Sequence, residues 1–380
     1  MPTAMSFEDL SSAYNSAGSR ERFAAAYRVL EDAIAARAFP GCAFGVLSGG
    51  KVLLHDALGR FTYEEDTQAV TPQTIFDMAS ITKVAATTAA VLLLVQRGRL
   101  NLDTLLSVYL PAFVLGREPA DMARQVTLRH LLAHSSGLPG YVEFFRTAST
   151  PAELMKACLN LQLQAEPGTR AEYSDPGFIL LGKALEVFIG EPLDDWVKRE
   201  IFAPLGLKAT SFCPAADSRH SIPPTEEDTT FRHRRIQGEV QDENAWVLGG
   251  VAGHAGLFSS VGDLLWLSAE ILRAAGANGN DVAEPCLFDR TTVEIFAQRQ
   301  GPTGSSRAVG WDTPSEHSSA GRYFSPYSIG HLGYSGCSLW IDLEAGIAVT
   351  LLTNRTWPDR ASQLIREVRP AFHDAVREAL

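Results

Sequence analysis

Ser80 and Lys83 stand three residues apart, where a turn-rich stretch gives way to a long apolar segment. On a helix, this spacing puts the hydroxyl and the amine on one face, within hydrogen-bond reach of each other. A serine hydroxyl is a weak nucleophile until a nearby base takes its proton, and a lysine amine is such a base only if burial or a cation lowers its pKa. The pair predicts an activated serine. Taken alone, however, Ser-x-x-Lys is more often a helix-capping serine followed by an exposed lysine.

A second polar group, Tyr173-Ser174-Asp175, follows a Glu-Pro-Gly turn and precedes an apolar segment. A tyrosine at such a position can relay protons between a nucleophile, a lysine and a leaving group. The alternative interpretation is a core tyrosine in the turn that leads into a helix.

A third group contains His331 and Tyr334 among closely spaced glycines, in the segment Gly-His-Leu-Gly-Tyr-Ser-Gly that begins at Gly330. Glycines allow a substrate to approach the strand backbone, so that its N–H groups can form one side of an oxyanion hole. Taken alone, the same segment could be a hairpin turn with a surface histidine.

Helices and strands must bring these three groups together. Residues 80–99 are apolar on most faces, which predicts a helix buried in the body of the protein. The segment 101–249 shows helices and long loops punctuated by prolines, with few strand signals. Further helices are predicted at residues 7–37, 262–275 and 359–380, and strands at 42–47, 52–57, 328–334, 338–342 and 347–353.

This order of elements implies a sheet whose strands come from both ends of the chain. We predict an α/β protein of the α+β type, in which an antiparallel β-sheet is flanked by helices and carries an inserted all-helical domain. The predicted domains are residues 1–100 together with 250–380, and the mainly helical residues 101–249. The active-site cleft is expected between them.

The composition argues against several classes of partner. A formal net charge of −11 disfavours nucleic acid, because phosphate binding requires clustered lysines and arginines. The small cluster of Arg232, Arg234 and Arg235 is predicted to lie on solvated surface. The 5 cysteines are scattered, with neither disulfide nor zinc spacing, and are expected to be thiols in a reducing compartment. No clustered ligand set predicts a metal, and no cofactor is expected.

The first 15 residues contain Glu8 and Asp9 where a secretory signal would need a basic start and an apolar stretch. The longest apolar run, residues 84–95, is short for a membrane span and is better explained as a core helix. We therefore expect a cytoplasmic protein without a membrane span. The sequence does not predict its oligomeric state.

In order and separation, the three groups resemble the signature of the serine β-lactamases, class C in particular, and penicillin-binding proteins: Ser-x-x-Lys, Tyr-x-Asn, then Lys-Thr-Gly or His-x-Gly. Residues 127–139 are similar to the family's loop into the helical domain, and the resemblance runs from about residue 38 to about residue 356. Residues 242–258 resemble a subgroup related to muramyl-peptide amidases, low-molecular-weight penicillin-binding proteins and family VIII-type esterases.

The chain departs from the family pattern at two positions. Asp175 stands where members usually carry asparagine, so a negative charge beside Lys83 is expected to favour the ammonium form and to leave Tyr173 as the better candidate base. His331 stands where β-lactamases carry lysine, which removes a permanent cation for a substrate carboxylate. Both changes make efficient β-lactamase activity less expected. Two further histidines, His134 and His254, are interpreted as structural residues that bond backbone groups.

The resemblance implies a two-step acyl transfer on a small ester, amide or muropeptide. Ser80 would attack the carbonyl with the help of Lys83 and Tyr173, and the backbone N–H groups of Ser80 and Tyr334 would hold the oxyanion. Asp175, His331 and Gly333 would complete the substrate side of the site. Cell-wall muropeptides, carboxylic esters and β-lactams remain open as substrates. The first would make the protein a cytoplasmic muropeptide amidase or D,D-peptidase of cell-wall recycling, and the last a true β-lactamase. An inactive fold that senses peptidoglycan or peptides is the alternative from a different class.

Overall fold

The computed structural model describes residues 16–118, 120–277 and 286–380. Within these residues, helices pack on both faces of a five-stranded antiparallel sheet, and two smaller sheets lie beside it. The predicted α+β fold class is confirmed. Residues 7–15 of the predicted first helix lie outside the described residues, as does the segment considered as an export signal.

Helices account for most of the regular secondary structure in the described chain between the two groups of long strands. The α-helices are α1 (Ser16–Arg22), α2 (Ala24–Ala35), α3 (Ala89–Gln96), α4 (Leu106–Tyr109), α5 (Leu128–Leu132), α6 (Pro151–Leu159), α7 (Asp175–Ile189), α8 (Leu193–Val197), α9 (Ala203–Leu205), α10 (Glu243–Val247), α11 (Val261–Ala274), α12 (Arg290–Ala297) and α13 (Ile365–Glu378). Short 3₁₀ segments span Ala79–Ile81, Pro111–Phe113, Met122–Gln125, Phe144–Arg146 and Arg219–Ser221, and π-helical segments span Lys83–Thr88 and Lys198–Phe202.

The strands form three separate antiparallel sheets. They are β1 (Gly41–Ser48), β2 (Lys51–Gly59), β3 (Phe76–Asp77), β4 (Ser211–Phe212), β5 (Pro224–Asp228), β6 (Arg234–Gln237), β7 (Leu257–Ser259), β8 (Ser328–Leu332), β9 (Ser338–Asp342) and β10 (Ile347–Thr353). The large sheet has the order β2-β1-β10-β9-β8, and the smaller ones are β3-β7-β4 and β5-β6.

The predicted hairpin near the N-terminus forms, with both strands slightly longer than expected. Gly49 and Gly50 connect β1 to β2 with φ angles of 57° and 69°. A two-residue hairpin turn with positive φ at both positions matches the right-handed twist of the flanking strands, and glycine adopts it without a steric penalty. The hairpin then pairs through β1 with β10, where Cys42 lies opposite Thr353.

The large sheet is covered on both faces. Helices α2 and α13 pack on one face, where Phe44 of β1 meets Tyr27 and Phe372 edge to face at 5.3 and 5.9 Å. Helix α11 packs against β1 and β10 on the other face. All residues of β10 are buried, as expected for a strand enclosed by helices. The strands of this sheet come from both ends of the chain, whereas the domain limits at residues 100 and 250 stay a prediction.

The segment that follows Ser80 is a continuous but irregular helix. One helix was predicted over residues 80–99, but the segment changes from 3₁₀ to π to α geometry and ends at Gln96. Gly98, with a φ of 64°, marks this end. The stretch Ala79–Gln96 has the length and apolarity of a membrane span, but 83% of it is buried within the protein. Its packing favours the core-helix interpretation.

Two predictions in the middle and at the end of the chain are wrong. Strands β5 and β6 were not predicted, because their charged residues resemble a solvated surface. Arg232, between them, was assigned to that surface, yet its side chain is 2% exposed, pairs with Asp228 at 3.1 Å and donates to two backbone carbonyls. The terminal helix begins at Ile365 instead of residue 359, because Arg355 Nη1 holds the carbonyls of Arg360 and Ser362 in a preceding loop.

Candidate active site

Ser80 lies at the junction between the short strand β3 and the buried helical segment. Ala79, immediately before it, has a φ of 45°, a left-handed conformation that costs free energy for a residue with a side chain. The carboxylate of Asp77 holds this turn by accepting from the Ala79 N–H at 2.8 Å and from the Gln241 N–H at 2.7 Å. Burial raises the pKa of Asp77 to about 6 despite these two bonds. The candidate nucleophile thus lies on a strained turn that a buried acid holds in place.

Lys83 is fully buried beneath Ser80. Its ammonium nitrogen donates to Ser80 Oγ at 2.9 Å, to Asp175 Oδ1 at 2.7 Å and to the backbone carbonyl of His254 at 3.1 Å. Burial acts to lower the pKa of Lys83, but the Asp175 carboxylate and Tyr173 outweigh it, so that the pKa lies above its ordinary value. The one-turn spacing therefore does bring hydroxyl and amine together, with the lysine as an ammonium at rest.

Tyr173 is fixed by the backbone bonds of its neighbour Ser174. The Ser174 N–H donates to His134 Nδ1 at 3.0 Å, and its hydroxyl donates to the Pro139 carbonyl at 2.7 Å. The same hydroxyl oxygen accepts from the backbone N–H of Gly177 and caps helix α7. The ring of Tyr173 therefore has little freedom to leave the site.

The charge state of Tyr173 is set mainly by burial. Burial raises the pKa of Tyr173, and the negative charge of Asp175 adds to this, whereas Lys83 and Ser80 oppose it. The pKa remains above its ordinary value, so the phenol is neutral at rest. Its ring centre lies 4.8 Å from Lys83 Nζ. The geometry places Tyr173 for proton relay, but the raised pKa makes it a poor base on its own.

His331 lies near the end of β8 and is buried. Its Nδ1 lies 2.8 Å from the Leu332 carbonyl, which can only accept, so Nδ1 carries the proton. Its Nε2 then bears a lone pair and finds no partner within the described part of the chain. Burial, with the charges of Lys83 and Arg307, holds the pKa of His331 well below its ordinary value. His331 is therefore uncharged at neutral pH.

The two histidines interpreted as structural differ in their partners. His134 accepts from the Ser174 backbone, as expected. His254 Nε2 instead lies 2.9 Å from Asp242 Oδ1, a side-chain contact, while its carbonyl accepts from Lys83. Both histidines therefore lie beside candidate catalytic residues: His134 holds the residue that follows Tyr173, and the His254 carbonyl accepts from Lys83.

The segment from Gly333 to Cys337 is a turn beyond β8, not the continuing strand that was predicted to residue 334. Arg369 of helix α13 donates to the carbonyls of Gly333 at 2.6 Å, Gly336 at 3.2 Å and Cys337 at 2.8 Å. The N–H and C=O groups of a trans peptide point in opposite directions. Holding the Gly333 carbonyl therefore directs the Tyr334 N–H, the expected oxyanion donor, away from Arg369.

A second arginine fixes the other side of the turn. Arg355 Nε donates to the Tyr334 carbonyl at 2.8 Å, and its guanidinium carbon lies 4.3 Å from the centre of the Tyr334 ring. Ser335 Oγ ties the turn to the carbonyl of Asp77, two residues before the strained Ala79. The expected oxyanion donor is thus linked directly to the turn that carries the nucleophile.

Arg369→Lys is expected to lower kcat by about tenfold, with a smaller change in KM, because an ammonium on a flexible stem does not reproduce the fixed planar fork with which the guanidinium holds the three carbonyls. This loss is smaller than the hundredfold or more that removal of an oxyanion donor costs. Steady-state kinetics with p-nitrophenyl butyrate would measure both constants, and Arg369→Met should lose more. A native kcat in the Met variant would contradict this role for Arg369.

The cleft at the candidate active site has a volume of about 730 Å³. Of the residues predicted from sequence, those on its surface are Ser80, Tyr173, Asp175, His331, Gly333 and Tyr334. Lys83 lies buried below it. The sequence did not indicate several other lining residues, which are Tyr141, Gln241, Asp242, Arg307, Arg355, Arg366 and Arg369. Within residues 16–118, 120–277 and 286–380, no group of three or more His, Cys, Asp or Glu side chains could hold a metal ion.

One sequence signal could have revealed Arg369. Helix α13 buries Ile365, Phe372, His373 and Val376 on one face, and Arg369 occupies that same face four residues after Ile365. A charged residue within an apolar stripe must find buried partners. For Arg355, by contrast, no motif or periodicity is evident.

The candidate site residues, from Ser80 to Arg369, all lie within the part of the chain that matches a protein-family model. The sequence model named Beta-lactamase matches residues 27–371. The chain belongs to the β-lactamase family. The family resemblance inferred from three short groups is therefore confirmed, and so is the prediction of a serine hydrolase fold.

Relatives in the family include several kinds of hydrolase. An N-acetylmuramyl-L-alanine amidase of Bacillus subtilis (strain 168) is 30% identical over 360 residues, which cover 86% of this chain and 80% of that protein. A protein of Salmonella typhi provisionally named D-alanyl-D-alanine carboxypeptidase is 32% identical over 316 residues, which cover 75% and 70% respectively. The predicted similarity to muramyl-peptide amidases and to penicillin-binding-protein-like D,D-peptidases is confirmed.

A solved structure shares the fold. EstCE1, a hydrolase with promiscuous acyltransferase activity, superimposes with a TM-score of 0.73 and 22% identity, covering 95% of this chain and 100% of that one. At this identity the likeness concerns the fold alone.

Proposed function

We propose that this protein hydrolyses an ester or amide through an acyl-enzyme on Ser80. The observation that carries the proposal is the 2.9 Å hydrogen bond between Ser80 Oγ and a fully buried Lys83, at the floor of a cleft of about 730 Å³. A buried lysine bonded to a serine is costly to maintain as a purely structural feature, because the charge must be desolvated. Nucleophilic catalysis accounts for that arrangement.

In the first step, Ser80 Oγ forms a bond to the substrate carbonyl carbon, and the π electron pair moves to the carbonyl oxygen. The N–H groups of Ser80 and Tyr334 stabilise this oxyanion. The carbonyl then re-forms as the leaving group departs with the proton that came from Ser80, carried through Lys83 and Tyr173. Water attacks the acyl-enzyme in the second step and releases the acid.

The substrate class follows from the charges of the cleft and from the relatives. His331 is neutral and supplies no cation at the position where β-lactamases carry lysine, while the neighbouring Arg355 and Arg369 donate to backbone carbonyls of the turn. This disfavours an anionic β-lactam and suits an uncharged ester. The amidase relative at 30% identity supports a cell-wall muropeptide as the second candidate. If the protein is cytoplasmic, as we propose, that candidate would be limited to the recycling of imported fragments.

The first test compares an ester with a β-lactam. Wild-type protein is expected to turn over p-nitrophenyl acetate or butyrate with a higher kcat/KM than nitrocefin at pH 7.5. Nitrocefin is anionic, and loss of a hydrogen bond to a charged group costs about 1.5–3 kcal/mol, which corresponds to a roughly ten- to hundredfold lower kcat/KM for nitrocefin. His331→Lys should narrow the gap by improving nitrocefin hydrolysis.

The same variant supplies the control, because an uncharged ester does not need the new cation. Ester turnover should therefore rise less than nitrocefin turnover, or fall. If wild-type protein hydrolysed nitrocefin faster than the ester, a true β-lactamase would become the leading function.

An inactive sensor is separated from an enzyme by a fluorophosphonate probe. A functional serine hydrolase reacts covalently with this probe, whereas a binding module that has lost its chemistry does not. The retention of Ser80, Lys83 and Tyr173 in contact supports the enzyme, since a sensor would not need all three.

A further inference from the structure

Lys83 has no position free to accept a proton in the resting site. All three of its N–H groups donate, to Ser80 Oγ, Asp175 Oδ1 and the His254 carbonyl, and the side chain is fully buried. An ammonium has no lone pair. Before it can take the proton of Ser80, Lys83 must first give up one of its own.

The groups around the amine differ in their ability to receive that proton. The His254 carbonyl is not a base, and the phenol of Tyr173 already carries a proton. Asp175 offers a carboxylate oxygen 2.7 Å from Lys83 Nζ, and its side chain is only 14% exposed. Among the described residues, it is the one carboxylate bonded to this amine.

We propose that Asp175 receives a proton from Lys83 at the start of acylation and so releases Lys83 as the neutral amine that activates Ser80. This inference rests on the proposed hydrolase function and extends it. Asparagine, the usual residue at this position in the family pattern, could not take the proton, so this chain would differ from that pattern in its chemistry.

The proton transfers balance within the site. The ammonium of Lys83 gives one proton to the carboxylate of Asp175, leaving an amine and a carboxylic acid. The amine takes the hydroxyl proton of Ser80 as Ser80 Oγ bonds to the carbonyl carbon. Tyr173 then protonates the leaving group and is reprotonated by Lys83. Asp175 finally returns its proton to the amine, and the resting charges are restored.

The first transfer exchanges no proton with solvent. It converts two buried opposite charges into two neutral groups, and burial penalises ions more than neutral groups. Lys83 and Asp175 together hold one shared proton, so the fraction in the neutral form does not depend on pH while that proton is retained. The titratable and charged groups that surround the pair are Tyr141, Tyr173, His134, His331, Asp242, His254 and Arg307.

The test measures the rate of fluorophosphonate labelling of Ser80 between pH 7 and pH 9, above the pH at which Asp77 titrates. Wild-type protein is expected to give a flat profile. In Asp175→Asn, Lys83 must lose its proton to solvent before it can act. Labelling should then slow tenfold for each pH unit below the pKa of Lys83, which burial lowers once the carboxylate is gone. Asp175→Glu keeps a carboxyl group and should keep the flat profile at a lower rate.

Asp195→Asn, an exposed acid on helix α8, is the matched control and should behave as wild type. A wild-type rate that rises tenfold per pH unit up to pH 9 would overturn the inference, since Lys83 would then lose its proton to water. A flat profile at the wild-type rate in Asp175→Asn would also overturn it. No labelling of wild-type Ser80 at any pH would contradict the proposed hydrolase itself, and the inference would fall with it.

Discussion

Activated esters should acylate Ser80 in a burst followed by slower turnover, and Ser80→Ala should carry no adduct. The reason is geometric: Ser80 Oγ accepts from a buried Lys83 at the floor of the cleft and lies on a turn fixed by Asp77. Loss of such a nucleophile lowers kcat by on the order of a millionfold in serine hydrolases that act through a base. Intact-protein mass spectrometry on both proteins would show the mass of one acyl group, or its absence.

A second serine variant guards against non-specific acylation. Ser211 is exposed on β4 and does not line the cleft, so Ser211→Ala should be labelled like wild type. Equal labelling of wild type and Ser80→Ala would mean that Ser80 is not the nucleophile, and the proposed mechanism would have to be abandoned.

Lys83→Met and Tyr173→Phe should each lower kcat/KM by about a thousandfold, within the range of general acid–base catalysis. The double variant should cost little more, because the two side chains pass the same proton between Ser80 and the leaving group. Their contact supports this expectation: Lys83 Nζ lies 4.8 Å from the ring centre of Tyr173, and each shifts the pKa of the other. Hydrolysis of p-nitrophenyl butyrate by all four proteins would complete the cycle.

The coupling energy between Lys83 and Tyr173 shows whether the two residues act in the same step. If the losses multiply, so that the double variant is about a millionfold slower, the two residues act in separate steps. Tyr173→Phe keeps the ring, so a structural role for the aromatic face alone would leave its activity near wild type.

The chemistry-bearing residues were the most predictable part of this molecule, because their signals are local. Ser80 and Lys83 meet through helix spacing alone, and the glycines at residues 49 and 50 specify the hairpin turn. The apolar stripe of helix α13 indicates that Arg369 is buried, but the carbonyls that Arg355 and Arg369 contact were not predictable, since backbone carbonyls from a distant turn carry no sequence signal. Arg232 was misassigned because a buried ion pair and a surface charge look alike in sequence.

Of the two expectations that followed from Asp175, one agrees with the structure and the other does not. The departure from asparagine was evident, and the expected ammonium form of Lys83 agrees with the raised pKa of that lysine. The expectation that Tyr173 is a better base than Lys83 agrees less well with the structure, because burial also raises the pKa of the Tyr173 phenol. Burial depends on the packed structure, which the sequence alone does not give.

The pairing of β1 with β10 has a consequence for how the protein acquires activity. Cys42 lies opposite Thr353, so the large sheet closes only when segments from opposite ends of the chain have met. The turn from Gly333 to Cys337, which carries the proposed oxyanion donor, also lies in the late part of the chain, as does helix α13 with Arg369. Contacts between such distant segments form slowly, because the intervening chain must lose entropy before they can stabilise it. Helices of the middle region can form earlier, so a chain that is already largely helical still lacks the turn that carries the proposed oxyanion donor. We therefore expect activity to appear only after the last long-range pairing.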